Sequence, residues 1–182
     1  VHPNIDNESP RFADLTGDGT PELVCNSGGA FGYLVAAGDP TATWVFHPIS
    51  ADIGKQRFTH GLGLGDVNGD GRADVLEKTG WWEQPASLEG DPAWTFHAFA
   101  FSGPGGAQMY AYDIDGDGDS DVVTSLHAHG WGLAWFEQVP GADGGVDFKK
   151  HVLMGAQRGD NPMECASPPC MPWPWAMWMA MA

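Results

Sequence analysis

The sequence of 182 residues has little positive charge and little cysteine. Only 8 Lys and Arg stand against 24 Asp and Glu, and the formal net charge of −16 argues against nucleic acid or an anionic membrane surface as a partner. The cysteines Cys25, Cys165 and Cys170 are odd in number and lack framework spacing, so they predict no disulfide scaffold. No apolar run reaches about 18 residues, so no membrane span is predicted.

Helical periodicity is also absent from the sequence. Gly at 26 and Pro at 14 indicate many turns, and the apolar residues recur with period two in short runs, which favours an all-β chain. The residues Val1-His2-Pro3 do not resemble a signal peptide, so we expect a mature form or a fragment.

Three short acidic loops dominate what the sequence does contain. In the richest loop, Asp113 to Asp121, five carboxylates fall on alternate residues with glycines between them. Their mutual repulsion is unfavourable unless a hard cation neutralises it, and Ca²⁺ takes six to eight oxygen ligands of this kind. The loops begin at Asp14, Asp66 and Asp113, and each leads into an apolar run. The pattern therefore predicts about three Ca²⁺ ions, one in each repeat.

The predicted ligands occupy positions 1, 3, 5 and 9 of each loop through their side chains, and position 7 through a backbone carbonyl, by analogy with the EF-hand loop. The final carboxylate comes at position 9 and no helix flanks the loop, so these are not EF-hands. In chain order the ligands are Asp14, Thr16, Asp18, Thr20 and Glu22; Asp66, Asn68, Asp70, Arg72 and Asp74; and Asp113, Asp115, Asp117, Asp119 and Asp121.

Each acidic loop lies in a repeated unit of four short apolar runs. Units of four strands at about 45 residues are typical of propeller blades. We predict an all-β partial β-propeller with blades at about 1–50, 51–100 and 101–155. Small residues of the first strands would line the central channel, and the tryptophans would lie on outer strands and between blades. Trp81 and Trp82 could instead stack on sugars.

The loop Asp66-Val-Asn68-Gly-Asp70-Gly-Arg-Ala-Asp74 and its two counterparts resemble the FG-GAP/VCBS repeat of integrin-α-type β-propellers. Residues 80–85, Gly-Trp-Trp-Glu-Gln-Pro, are similar to those of secreted bacterial members. The first repeat departs from the pattern at Thr16 and Glu22, so we expect its site to be the weakest.

The resemblance implies an extracellular or periplasmic, calcium-stabilised module for binding carbohydrate or protein, completed by the remaining blades of a longer parent chain. The alternative it implies is a catalytic propeller acting on sugars, of lyase or dehydratase type. His60, His127, His129 and Tyr110 are then the candidates for acid–base work. The pair His127 and His129 would share one face if the segment were a strand, and both imidazoles could then meet one metal or substrate. The alternative is a pair of histidines in a loop or an interface without such a role.

Residues 156–182 form an atypical tail that breaks the repeat. Its Trp and Met residues have single codons, so the implied bases of residues 170–182 can be translated in another frame. Every ambiguous position of that translation permits the residue found at the equivalent position of residues 60–71, and four further positions (Gly, Val, Gly and Gly) match outright. We interpret the tail as a frameshifted fourth repeat, which would leave a truncated propeller of about three blades with exposed edges.

Overall fold

A computed structural model of the chain describes residues 4–39, 41–55, 57–142 and 144–160. The interpretation of the tail and the expectation for residues 1–3 concern residues outside these ranges. The strands are β1 (Arg11–Ala13), β2 (Glu22–Ser27), β3 (Ala30–Val35), β4 (Val45–Pro48), β5 (Leu62–Gly65), β6 (Asp74–Glu77), β7 (Gly80–Glu83), β8 (Thr95–Ala98), β9 (Met109–Tyr112), β10 (Asp121–Ser125), β11 (Leu133–Pro140) and β12 (Val146–Met154), followed by a 3₁₀ turn at Arg158–Asp160.

The twelve strands form three sheets of four antiparallel strands, each in sequence order. We name them blade one (β1–β4), blade two (β5–β8) and blade three (β9–β12). This confirms the predicted all-β units of four strands, with each acidic loop between the first and second strands. Within the described ranges, no helix is long and apolar enough to cross a bilayer.

The first strands of neighbouring blades lie against each other, so they form the crowded inner part of the stack. A Cβ added to Gly63 on β5 would come within 2.6 Å of the backbone oxygen of Met109 on β9. This close approach explains why β5 reads Leu-Gly-Leu-Gly, and it agrees with the small residues expected near the channel. β5 begins at Leu62, after a turn in which Phe58 has a positive φ of 64°.

The two tryptophans of β7 point to opposite sides of blade two, as side chains on adjacent strand positions must. Trp82 belongs to the core between blades one and two, with Phe31, and Trp81 belongs to the core between blades two and three, with Phe136. Their exposed fractions are only 8% and 3%. The structure therefore favours inter-blade packing for this pair over stacking on sugars.

Each blade carries a histidine on its fourth strand that stacks on an aromatic ring of the third strand. The pairs are Tyr33–His47, Trp81–His97 and Trp135–His151, with ring centroids 5.1, 4.1 and 4.5 Å apart. In each pair the two residues face each other in the strand register. In blades one and two the aromatic ring lies in the core shared with the next blade. Every blade therefore presents its stacked pair in the same direction.

Candidate functional site

The three acidic loops share one backbone framework, built from their own side chains. The position-1 aspartate accepts a hydrogen bond from the backbone N–H of position 6 in every copy. These bonds are Gly19 to Asp14 at 3.0 Å, Gly71 to Asp66 at 2.8 Å and Gly118 to Asp113 at 3.2 Å. The glycine is needed here because its φ is positive in all three loops, between 86° and 100°. The alternation of aspartate and glycine thus curls the chain back over its first carboxylate.

The position-5 aspartate closes a second small turn inside each loop. It accepts the backbone N–H of position 7, with Thr20 to Asp18 at 2.7 Å, Arg72 to Asp70 at 2.9 Å and Asp119 to Asp117 at 3.0 Å. Such Asx turns hold one carboxylate oxygen of each aspartate against the backbone. Positions 1 and 5 are thereby fixed in the same relative arrangement in all three copies.

The carboxylate at position 9 accepts backbone hydrogen bonds, a role that was not predicted from its place in the repeat. Asp74 is fully buried and accepts N–H groups from Val67 at 2.8 Å and from Gln84 at 2.9 Å. Asp121 repeats this with Ile114 at 3.1 Å and Gln138 at 2.8 Å. The position-9 aspartates of blades two and three therefore join the acidic loop to the end of the third strand. The recurrence of the acid next to an apolar run was the available signal for this burial.

In the first loop, the position-9 residue is one methylene longer and bonds differently. Glu22 accepts the N–H groups of Leu15 at 2.8 Å and Thr16 at 3.1 Å, together with the Thr16 hydroxyl at 3.3 Å. Both departures from the repeat pattern, Thr16 and Glu22, thus contact each other. The first and third loops each bring three carboxylates within 4.8 Å of one another, namely Asp14, Asp18 and Glu22, and Asp113, Asp115 and Asp117.

In the second loop a cation of the chain itself approaches the site. The guanidinium of Arg72 donates to the outer oxygen of Asp70, which also accepts from the amide of Asn68 at 3.0 Å. Arg72 is anchored in turn by its Nε, which donates to the carbonyl of Gln84 at 3.0 Å. A metal ion in this loop would compete with Arg72 for Asp70.

The third loop has the highest density of negative charge. Burial, together with the charges of Asp117 and Asp121, raises the pKa of Asp119 to about 6. Burial likewise raises the pKa of Asp115, and the neighbouring aspartates add to the effect. The Asp119 Oδ1 atom is shielded from solvent and lacks a hydrogen-bond partner among the described atoms.

The donor set of the loops fits a hard divalent cation. All candidate ligand atoms are oxygens, from carboxylates, one amide, one hydroxyl and backbone carbonyls, and Ca²⁺ selects such ligands. The unpartnered Asp119 oxygen and the raised carboxyl pKa values indicate negative charge that the protein's own groups leave uncompensated.

Glutamines at the end of the third strand connect the acidic loops of neighbouring blades. Gln84 Nε2 donates to the carbonyl of Leu15 in the first loop at 2.8 Å and to the carbonyl of Ala73 in its own loop at 3.2 Å. With its amide oriented to donate, Gln138 reaches Val67 in the second loop at 2.8 Å and Ser120 in its own at 3.1 Å. The residues before these glutamines, Glu83 and Glu137, bond His97 and His151. In each repeated Glu-Gln pair, the glutamine thus links two acidic loops and the glutamate holds the stacked histidine.

The histidine candidates only partly converge. His60 lies just before β5, and its Nε2 is 3.0 Å from Nε2 of His129. The carboxylate of Glu8 is 3.4 Å from Nδ1 of His60 and completes the cluster. Glu8 was not predicted, because it lies in an irregular N-terminal segment outside the repeat pattern.

His127 and His129 lie in a loop, as in the second of the two alternatives, and their side chains do not share a strand face. Both residues lie in the connection between β10 and β11, where His127 Nδ1 accepts the backbone N–H of His129 at 3.1 Å. Only His129 joins the cluster with His60. Tyr110 lies elsewhere: its hydroxyl bonds Gln108, and its ring lies under the guanidinium of Arg11 at 4.9 Å. The turn at residues 127–129 thus keeps the imidazoles of His127 and His129 from lying side by side, as they would on a strand.

Comparison with known protein families matches residues 14–77 to the FG-GAP-like repeat. This segment runs from the first acidic loop to the end of β6 and includes the second acidic loop. Comparisons with curated proteins and with solved structures each returned no match. Residues 14–77 thus contain the FG-GAP-like repeat, and the three sheets of the same four-stranded order agree with a partial β-propeller built from such repeats.

Proposed function

We propose that the chain is a calcium-stabilised β-propeller module that binds an extracellular carbohydrate or protein ligand and has no catalytic activity of its own. The FG-GAP repeat supports a propeller module of the kind generally involved in binding. The observation that carries the calcium assignment is the common framework of the three acidic loops, which fixes the carboxylates of positions 1 and 5 in every blade. The proposal includes an extracellular or periplasmic location, as in secreted bacterial proteins with calcium sites of this type.

Calcium would act on stability rather than on chemistry. A cation that binds the folded loops and not the unfolded chain stabilises the fold by mass action. Loop three should bind most tightly, because it has Asp at every side-chain ligand position, and loop two should be weakened by the competing Arg72. Each ion would stiffen the turn between the first and second strands, and Gln84 and Gln138 link these turns across the blades.

The test is thermal unfolding in excess EDTA and in CaCl₂, for the wild-type chain and for Asp117→Asn. We expect calcium to raise the melting temperature of the wild type and to raise that of Asp117→Asn less. Glu89→Gln is the matched control, because it removes one exposed charge outside the loops and should leave the calcium response intact. A wild-type melting temperature that is the same in EDTA and in CaCl₂ would contradict the calcium assignment.

Further blades of a longer parent chain are the proposed partners of the two end faces. Blade three presents Trp135 and His151 outwards, in the position that Trp81 and His97 occupy where blade three covers blade two. At the opposite end, blade one exposes Phe12 to 64%, whereas its register neighbours Leu23 and Leu34 are buried. Because every blade offers its stacked pair to the next blade, the outer face of blade three fits a fourth blade of the same kind.

Self-association measures whether the end face of blade three can pair with the end face of blade one of another copy. In sedimentation velocity we expect concentration-dependent association of the wild type and its loss in Trp135→Glu. Trp131→Glu is the matched control, because Trp131 is an exposed tryptophan of the connection between β10 and β11. A chain that stays monomeric at all concentrations would argue against complementary end faces.

The convergence of His60, His129 and Glu8 favours a second candidate, the catalytic propeller acting on sugars. It is the lesser candidate, because His127 and Tyr110 lie outside the cluster. Incubation with acidic polysaccharides, followed by ultraviolet detection of unsaturated products, tests lyase activity. Turnover that is lost in His60→Gln would replace the binding proposal with the catalytic one.

A further inference from the structure

The two histidines of the cluster differ from the stacked histidines of the blades in what they face. His47, His97 and His151 each lie flat on an aromatic ring and bond a carboxylate. The Nε2 atoms of His60 and His129 instead face each other at 3.0 Å, and their rings are nearly perpendicular, at 78°. No repeat position requires this contact, because the two residues come from different parts of their blades.

We propose that His60 and His129 bind one Zn²⁺ ion, or a similar divalent transition-metal ion, through their Nε2 atoms. Zn²⁺ takes neutral imidazole nitrogen at about 2.0–2.1 Å, so two such ligands of a tetrahedral ion lie roughly 3.3 Å apart. The observed separation of 3.0 Å is close to that value. Only two imidazoles bind directly, so the remaining coordination positions are open to exchangeable ligands.

Glu8 is the positioning residue of this site. Its Oε2 lies 3.4 Å from His60 Nδ1, on the ring nitrogen that would not bind the metal. A carboxylate there accepts the Nδ1 proton, which leaves the Nε2 lone pair free and increases the basicity of the ligand. Glu8, His60 and the metal ion would then form the carboxylate–histidine–metal arrangement that is common in zinc sites.

The backbone holds the three groups together without any metal. The N–H of Glu8 donates to the carbonyl of Thr59 at 3.3 Å, directly beside His60. Gly105 packs so closely on His60 that an added Cβ would lie 3.0 Å from the His60 carbonyl oxygen, and the carbonyl of Gly105 accepts the N–H of Ala128 at 2.9 Å. His129 is thereby fixed relative to His60 across 69 residues of sequence.

The ligand atoms suit a nitrogen-binding metal ion rather than a fourth calcium ion. The side chain of His60 is only 16% exposed, whereas Glu8 and His129 are open to solvent. The nitrogen ligands are disfavoured by Ca²⁺, which selects oxygen, and are favoured by zinc. Excess calcium should therefore leave the histidine site available, and this separates it from the acidic loops.

The test uses the full chain with His2→Gln, Cys165→Ser and Cys170→Ser as background, so that these other soft donors do not contribute. Isothermal titration with ZnCl₂ in saturating CaCl₂ should show one equivalent of zinc bound. His129→Ala and His60→Gln should each weaken it at least about tenfold, and Glu8→Gln should weaken it roughly 10–100-fold. His97→Ala is the matched control and should bind zinc like the background chain.

Cobalt substitution tests direct coordination, because the spectrum of bound Co²⁺ changes only when the groups around the ion change. Co²⁺ bound to two imidazoles should give visible ligand-field bands that are lost in His129→Ala and shifted in Glu8→Gln, while all variants keep their circular dichroism. Zinc binding absent in saturating CaCl₂, or equal in the background chain and in both histidine variants, would overturn the proposal. In that case the two imidazoles share only a hydrogen bond.

Discussion

The imidazole of His97 lies flat on the indole of Trp81, with ring centroids 4.1 Å apart and ring planes 12° apart. The two residues are register partners on neighbouring strands, and the same histidine bonds Glu83 at 2.7 Å. Blade three repeats the arrangement with Trp135 and His151. In blade two the next blade covers the tryptophan, which is 3% exposed, whereas Trp135 is only partly buried.

Replacement of these two tryptophans should therefore have unequal effects. Trp81→Ala removes a ring that is 3% exposed and leaves a cavity between two blades, so it should lower the free energy of unfolding by about 3–5 kcal/mol. Trp135→Ala removes the equivalent ring from a half-open face and should cost clearly less. Urea denaturation of both variants measures this difference. Equal losses would mean that the outer face of blade three is as well packed as an inter-blade core.

A methyl group should not fit on the inner strand of blade two. Gly63→Ala forces the new Cβ to within 2.6 Å of the Met109 backbone, and overpacking of this kind costs roughly 1–3 kcal/mol. Gly103→Ala is the matched control, since no atom lies within 4 Å of its added Cβ and its φ is not positive. Thermal unfolding of the two variants should separate them by several degrees. A harmless Gly63→Ala would contradict the close contact between β5 and β9.

The aspartates of the third loop should divide into two functional groups. Asp121 is buried and accepts two backbone N–H groups, so Asp121→Asn places amide hydrogens where acceptors are needed and should destabilise the fold with or without calcium. Asp117 is exposed and should matter only when calcium is bound. Unfolding midpoints in EDTA and in CaCl₂ measure both effects. An Asp121→Asn variant that is as stable as the wild type in EDTA would refute the backbone role.

Gln84 should stabilise two blades at once. Its amide donates to the carbonyls of Leu15 and Ala73, and Gln84→Ala leaves both buried acceptors without this partner, at a cost of about 1–3 kcal/mol. Gln108→Ala is a control for amide removal, since its side-chain oxygen accepts an exposed hydrogen bond from the Tyr110 hydroxyl. Hydrogen exchange should be faster in both the first and the second loop of Gln84→Ala. Faster exchange in one loop alone would show that the glutamine does not couple the blades.

The thiol of Cys25 should be unreactive in the folded protein. The residue is fully buried on β2, and burial, with a smaller contribution from the charge of Asp6, raises its pKa to about 12. Only the thiolate reacts with iodoacetamide, so alkylation at pH 8 should be slow in buffer and rapid in denaturant. With Cys165→Ser and Cys170→Ser in the chain, mass spectrometry follows this single thiol. Rapid native labelling would show that blade one opens locally.

Much of the fold could be predicted because the same pattern of short apolar runs and Asp-Gly loops occurs three times in the sequence. Alternation of apolar residues and the Asp-Gly loops specify strands and turns locally, and the pattern Trp-x-Glu-Gln marks the third strand in two blades. The roles of Gln84 and Gln138 were not predictable in the same way. They depend on contacts with the preceding blade, and spacing along one repeat does not reveal which carbonyl lies across the interface.

The histidine cluster shows a different limit of sequence reasoning. His60 and His129 are 69 positions apart and Glu8 belongs to no repeat, so only the packing of three separate segments brings them together. The short segment from His127 to His129 also reads as part of a strand, because alternation over three residues cannot distinguish a strand from a turn. Its glycine neighbour Gly130 was the turn signal, and the Gly130 N–H bonds the His127 carbonyl at 3.3 Å.

The uniform direction of the stacked histidine–aromatic pairs gives the molecule a polarity along its chain. The stacked pair that each blade turns toward the next blade comes from its own third and fourth strands. This surface can therefore form before the following blade is synthesised. A blade emerging from the ribosome thus meets a finished surface on its predecessor, and nearest-neighbour contacts of this kind let folding propagate as the chain grows. The order of translation and the order of assembly would then be the same.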